Sequence, residues 1–317
     1  MLTWTFPTAE LRDMLGEPPA GVRVGLWDQL VDDEPTDVPL DEVDAVLAPD
    51  WVVPEPFERI ARAPRVRFVQ LSTAGYEHVR GVLPAHVTVA NGRGVHSDET
   101  AELAVGLVLA QLRGIDVFAR RMAVQYWEPG LVKRPSLAGK RVVVVGAGSI
   151  GTEIRARLLA FRTTVTLVGR TARDTPDGPV HGVDELPALL PHADVVVVVI
   201  PLTDLSQGLV DAAFLAAMPD GALLVNVARG KVVDTAALLA ELGSGRLRAA
   251  LDVTDPEPLP PEHPLWRAPN LLITPHVGGD TPLTEVRVTE LVRRQLAALL
   301  AGAPLENVVA GPEQPGG

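Results

Sequence analysis

The 317-residue chain contains no cysteine. This rules out disulfides, thiolate metal ligands and a cysteine nucleophile, so any redox chemistry must come from a bound cofactor. Aromatic residues make up only 4%. The longest apolar runs, such as Val195 to Ile200, suit strands and fall far short of the roughly 20 residues that cross a bilayer. The opening MLTWTFPTAELRDML lacks the basic-then-apolar order of a secretory leader. Positive charge is also in deficit: 28 Lys and Arg against 40 Asp and Glu give a formal net charge of -12, which repels polyanions and leaves no basic stripe for nucleic acid. There is no H-E-x-x-H or tight ligand cluster for a metal, and no G-x-S-x-G elbow, since Ser149 sits in G-S-I-G. These absences lead us to expect a cytoplasmic enzyme with a small-molecule substrate and neither a membrane nor a nucleic-acid partner.

What is present is an ordinary globular composition, 47% hydrophobic and 21% charged, on a chain long enough for about two domains at roughly 150 residues each. It is organised around Arg141 to Gly151, RVVVVGAGSIG. Val142 to Val145 suit a strand buried on both faces, and Gly146, Gly148 and Gly151 fall at the G-x-G-x-x-G spacing. The first glycine permits a tight turn, the second lets a pyrophosphate reach the backbone, and the third lets a new helix pack against the strand. That helix, entered through Ser149 and Ile150, offers unpaired N–H groups and a positive dipole end to the phosphates.

Residues before about 95 alternate short apolar runs (22–27, 43–48, 66–71, 87–90) with Pro- and Gly-marked segments, an α/β pattern. Ser97 is placed to cap a largely apolar helix through Leu112. Trp127 to Leu137, with Pro129, Gly130 and Pro135, reads as a loop. From 141 onward, strands near 141–145, 164–168, 194–200, 222–226, 247–253 and 271–274 alternate with helical segments, as in a parallel, doubly wound sheet. LTEVRVTELVRRQLAALLAG after Pro282 is one long helix, followed by a Pro- and Gly-rich tail.

Three polar residues follow three of these strands: Arg229 after ALLVNVA, Glu257 after LRAALDV and His276 after NLLITP. In an open parallel sheet the carboxyl ends share one edge, where ligands bind, so residues distant in sequence can converge there. Arginine can grip a carboxylate with two parallel hydrogen bonds, and histidine can exchange a proton near neutral pH. A glutamate beside that histidine favours the imidazolium and fixes its tautomer. Together they suit a 2-oxo acid.

Leu137 to Thr281 resembles the D-isomer-specific 2-hydroxyacid dehydrogenases through LAGKRVVVVGAGSIG, PLT at 201–203, MPDGALLVNVARGKVVDTAAL, LDVTDPEPLP and NLLITPHVGG. The resemblance implies that Arg229 binds the substrate carboxylate and carbonyl, His276 donates the proton with Glu257 as its partner, and Asp252 holds the nicotinamide carboxamide. QLSTAGYEH resembles the family loop whose N–H groups, here around Ala74 and Gly75, bind the substrate carboxylate. It also implies two doubly wound α/β domains: a Rossmann nucleotide domain over 97–282, inserted in a flavodoxin-like substrate domain built from 1–96 and 283–317. NVV at 307–309 would be the closing segment, with hinges near 95–97 and 280–283. Homodimers formed through the nucleotide domain are implied as well.

The second strand of the nucleotide unit, TTVTLVG, is followed by Arg170, Thr171, Ala172 and Arg173. An NAD-specific turn would carry an acid near here for the ribose hydroxyls. Arg170, Thr171 and Arg173 instead suit a 2′-phosphate, giving NADP(H) over NAD(H). The GRT turn resembles NADPH-dependent glyoxylate and hydroxypyruvate reductases of the family. The expected reaction is reduction of a small 2-oxo acid to the D-2-hydroxy acid. The alternatives are a nucleotide-sensing regulator with little turnover, or a dehydrogenase of another small substrate such as formate or phosphite. Trp51, Leu71 and Tyr76 are candidates for facing the substrate's third carbon, with packing the expected role of Trp51.

Overall fold

The computed structural model describes residues 1–28, 36–48, 55–127 and 133–312. Trp51, Pro129 and Gly130 lie outside the described residues. The chain divides into two compact units: Met1–His96 with Thr281–Gly317, and Ser97–Asp280. Both are α/β.

In the first unit the strands are β1 (Leu2–Phe6), β2 (Val22–Leu26), β3 (Ala45–Ala48), β4 (Phe68–Leu71) and β5 (Thr88–Ala90). These pair in parallel in the order β2-β1-β3-β4-β5, the flavodoxin-like order, and a last strand from the far end of the chain adds antiparallel to β5. β3 and β4 are buried along their whole length, so their apolar runs feed the core on both faces of the sheet. One face packs Trp4, Phe6, Leu47 and Phe68 against Val288, Leu291, Val292 and Leu296 of the helix Leu283–Ala301. The other face packs Val46, Val69, Val89, Phe57 and Ile60. β1 was not expected from the sequence. With two threonines among its five residues it is a mixed run, yet Trp4 and Phe6 are fully buried.

In the second unit the strands are β6 (Arg141–Val145), β7 (Thr164–Gly169), β8 (Arg173–Thr175), β9 (Gly178–Gly182), β10 (Val195–Val198), β11 (Leu223–Asn226), β12 (Arg248–Leu251) and β13 (Leu271–Ile273); β14 (Val308–Ala310) is the last strand of the first unit. The sheet order is β13-β12-β11-β10-β6-β7-β9-β8, with only β8 antiparallel. Apart from the edges this is the Rossmann order, and it reverses at β6, where dinucleotides bind in such folds. Along β6, Val143 and Val145 enter the core on one face while Val142 and Val144 enter the core on the other. Each such buried valine contributes about 2 kcal/mol. The six-strand reading missed β8 and β9. GPVHG has two glycines, a proline and one buried apolar residue, too little alternation to register as a strand. Ser97 begins the helix Ser97–Arg113 as its first residue and does not cap it: its buried hydroxyl has no hydrogen-bond partner among the described residues.

Candidate active site

The glycine turn at the end of β6 separates its three glycines by what surrounds them. A Cβ on Gly151 would lie 1.8 Å from the Gly146 carbonyl oxygen, and one on Gly146, where φ is +129°, would lie 2.2 Å from the Val199 carbonyl oxygen. The fold itself forbids a side chain at both. A Cβ on Gly148 would meet nothing within 4 Å. Gly148 caps the helix Ser149–Leu159 without a side-chain hydrogen bond, and the first turn holds no acid. The N–H groups at Ser149 and Ile150 lie in the first turn, where a helix leaves them without an internal partner at its positive dipole end, a fit for the pyrophosphate of a dinucleotide.

β7 ends at Gly169, beside this turn in the sheet. Arg170 and Thr171 are exposed. Arg173 opens the edge strand β8, and its guanidinium donates to the Ala147 carbonyl at 3.1 Å. One cation is thus tied to the glycine turn, while Arg170 stands outside it.

The segments after β11, β12 and β13 carry Arg229, Glu257 and His276. Glu257 and His276 make a direct contact between the glutamate Oε1 and the imidazole Nδ1, and both side chains are 36% exposed. The carboxylate accepts a hydrogen bond from the Nδ1–H, which puts the other ring nitrogen, Nε2, on the side away from Glu257. Arg229 is partly buried, in extended backbone at the entry to a short helical turn, with Nη1 donating to the Ala228 carbonyl at 2.8 Å. A Cβ on Gly230 would lie 1.8 Å from the Thr254 carbonyl oxygen, so the Arg229 turn packs directly on the segment after β12.

Two residues lie beneath these loops: Asn226, which the sequence did not mark, and Asp252, which the family resemblance assigns to the nicotinamide carboxamide. Asn226, the last residue of β11 and fully buried, accepts from the Ala228 N–H at 3.0 Å and donates to the Arg229 carbonyl at 3.0 Å. Asp252, one residue past β12 and 3% exposed, accepts from Thr274 Oγ1 at 2.6 Å and from the N–H groups of Val277 and Gly278 at 3.0 Å each. The available signal was a polar residue closing an apolar strand, because a buried polar side chain must find partners.

In the first unit, the loop after β4 has its carbonyls engaged: Ala74 by Asn91 Nδ2 at 2.7 Å, Gly75 by Thr73 Oγ1 at 2.8 Å, Thr73 by the Gly92 N–H at 2.7 Å and Ser72 by His96 Nε2 at 3.1 Å. The N–H groups of Ala74 and Gly75 donate to nothing among the described residues. Leu71 is 1% exposed and belongs to the core, so it is a packing residue; Tyr76 packs against the same core with the Arg80 guanidinium 4.9 Å from its ring centroid. No cluster of His, Asp and Glu able to hold a metal occurs among the described residues.

The NAD-binding domain of the D-isomer-specific 2-hydroxyacid dehydrogenases matches residues 105–278. The chain belongs to that family. It is 33% identical over 254 residues to a glyoxylate reductase of Thermofilum pendens, covering 76% of this chain and 74% of that protein. Its fold superimposes, with a TM-score of 0.83 and 31% identity over 97% of both chains, on a D-isomer-specific 2-hydroxyacid dehydrogenase of Xanthobacter autotrophicus Py2 solved with NADPH and MES. It also superimposes on an NADPH-dependent glyoxylate/hydroxypyruvate reductase of Sinorhizobium meliloti solved with NADP and sulfate, with a TM-score of 0.82 and 26% identity over 98% of both chains. The protein is therefore an oxidoreductase of this family, and its second unit contains the family's NAD-binding domain.

Proposed function

We propose that this dehydrogenase reduces a small 2-oxo acid of the glyoxylate or hydroxypyruvate kind to the D-2-hydroxy acid, with NADPH preferred over NADH. The observation that carries the reading is the Glu257–His276 contact, an acid–base pair at the carboxyl edge of a dinucleotide fold. The cofactor, when bound, supplies the hydride to the carbonyl carbon. Gly146, Gly148, Ser149, Ile150 and Gly151 would hold its pyrophosphate, and Arg170, Thr171 and Arg173 would hold its 2′-phosphate. Asp252 has one acceptor site to spare for the carboxamide beyond the three donors it already serves. Arg229 takes the substrate carboxylate and steadies its carbonyl. Protonated His276 gives its Nε2 proton to the developing alkoxide as the C–H bond forms, and Glu257 holds the charged ring during that transfer.

The first unit, with the free Ala74 and Gly75 N–H groups, is assigned substrate-carboxylate recognition, and the second is assigned dinucleotide binding. A homodimer through the second unit is supported by the helix Ile115–Ala123. It buries none of its residues, and Ile115, Phe118, Met122 and Val124 on and beside it are exposed. An apolar face of this kind suits a second copy. Sedimentation of the parent and of Met122→Glu tests this; a parent that sediments as a monomer counts against it.

The test of function is oxidation of NADPH and of NADH, side by side, with glyoxylate, hydroxypyruvate, pyruvate and phenylpyruvate. NADPH-preferring turnover of the smaller acids is expected. Cofactor binding without reduction of any acid would favour the regulator reading instead.

A further inference from the structure

Within the second unit, Asp252 is bonded to the segment carrying His276 at four points. Its main-chain carbonyl accepts the His276 N–H at 2.8 Å. Its carboxylate takes the hydroxyl of Thr274 two residues earlier and the N–H groups of Val277 and Gly278 just after, the first two on Oδ1 and the third on Oδ2. Between these ties His276 is held at φ +56°, in the left-handed region that a residue with a Cβ enters at a cost of about 1–2 kcal/mol. A strained conformation persists where its surroundings over-determine it. Free of these ties, the His276 backbone would relax toward negative φ and carry the imidazole away from Glu257.

We infer that Asp252 is the positioning residue for the proton donor: its two carboxylate oxygens fix the Thr274–Gly278 loop so that His276 meets Glu257, and this, more than cofactor binding, is what its charge is for. The inference rests on His276 being the proton donor of the proposed reaction. It assigns Asp252 a role distinct from the carboxamide contact that the family resemblance implies. A carboxamide N–H needs one acceptor, which an asparagine oxygen would also supply. The loop needs both oxygens, because its three donors are divided between them. Asp252→Asn therefore separates the two roles: it keeps one acceptor but turns an amide NH2 toward either Gly278 N–H or the Thr274 and Val277 pair.

The experiment compares the parent, Asp252→Asn and the milder Thr274→Val, each checked for an unchanged far-ultraviolet spectrum and cooperative melting. Three quantities are read: NADPH dissociation constant by nucleotide fluorescence, kcat and KM for the best acid, and amide hydrogen exchange over 272–280 without ligand. In Asp252→Asn, kcat falls about a hundredfold, the scale of a catalytic group misplaced by about 1 Å. The dissociation constant and KM stay within about threefold, and the amides of His276 to Gly278 exchange faster. Thr274→Val shows the same pattern at a smaller size. Weaker NADPH binding in step with the loss of kcat, with exchange over 276–278 unchanged, would overturn the inference. If the parent reduces no acid, the reaction assignment fails, and the exchange and NADPH titrations still decide whether Asp252 holds the loop. If Asp252→Asn does not fold, Thr274→Val is judged by the same criteria.

Discussion

The Asp252 N–H donates to the Asn226 carbonyl at 2.9 Å. The residue that ties down the His276 loop and the residue that ties down the Arg229 loop are thus consecutive links of one hydrogen-bonded pair of strands, β11 and β12.

Asn226→Ala removes two hydrogen bonds on the Arg229 side and leaves the buried Ala228 N–H without its acceptor, at a cost of about 1–3 kcal/mol in stability. Because Arg229 is the group assigned to the substrate carboxylate, KM for the acid should rise more than kcat falls. Steady-state kinetics together with a denaturant melt checks both; a KM equal to the parent's would separate Asn226 from Arg229.

Glu257→Gln takes a negative charge away from the imidazole it contacts. Without that charge the imidazole loses the partner that orients it, so the reductive kcat should fall about ten- to a hundredfold with KM for the acid little changed. Steady-state kinetics checks it; a kcat equal to the parent's would count against the pairing.

Gly148→Ala and Gly151→Ala should fail in different ways. At Gly148 the new methyl meets no protein atom, so the fold should hold while NADPH binding falls, the methyl occupying the space assigned to the pyrophosphate. At Gly151 it would be driven into the Gly146 carbonyl, so thermal stability itself should drop. Melting curves with and without NADPH distinguish them.

Arg170→Ala should weaken NADPH binding about ten- to a hundredfold with little change for NADH, since a charge-assisted bond to phosphate is worth about 1.5–3 kcal/mol. Arg173→Ala should affect both cofactors, because its guanidinium also holds the Ala147 carbonyl of the glycine turn. Equal losses for both cofactors in Arg170→Ala would argue against a 2′-phosphate contact.

Asp194 bridges the start of β6. Partial burial works against its charge, but the Arg141 N–H at 2.8 Å and Lys140 Nζ at 2.7 Å outweigh it and hold the carboxyl below its ordinary value of 3.8. A lowered folded-state value means that the stabilisation is complete above the unfolded value and is lost as pH falls through the folded one. Asp194→Asn should therefore cost about 1–2 kcal/mol at neutral pH and converge on the parent in strong acid. Denaturant melts at a series of pH values test the convergence.

The nucleotide unit was legible because valine-rich strands and spaced glycines are local signals: RVVVV and its turn form β6 and the helix that follows it. Arg229, Glu257 and His276 could be gathered by the rule that parallel strands share an edge, and the structure joins Glu257 and His276 directly. Asn226 and Asp252 were harder to read for the roles they have here, because their work is done through partners up to 26 positions away that no spacing encodes. Leu71 was misjudged as a substrate-facing candidate because a strand end and a core position look alike in sequence; only the sheet shows it enclosed. β8 and β9 escaped because their stability comes from pairing with each other and with β7, and their composition carries no sign of it.

The first unit draws its long helix and its last strand from beyond residue 280, so its two parts are separated by the whole of the second unit. During translation, the second unit is contiguous and can close as soon as it leaves the ribosome. The first ninety-odd residues, made earlier, must wait for Val288, Leu291, Val292 and Leu296 to cover Trp4 and Phe6. The part synthesised first is thus the last to be finished, and the sheet face it leaves uncovered meanwhile is the surface a chaperone would recognise.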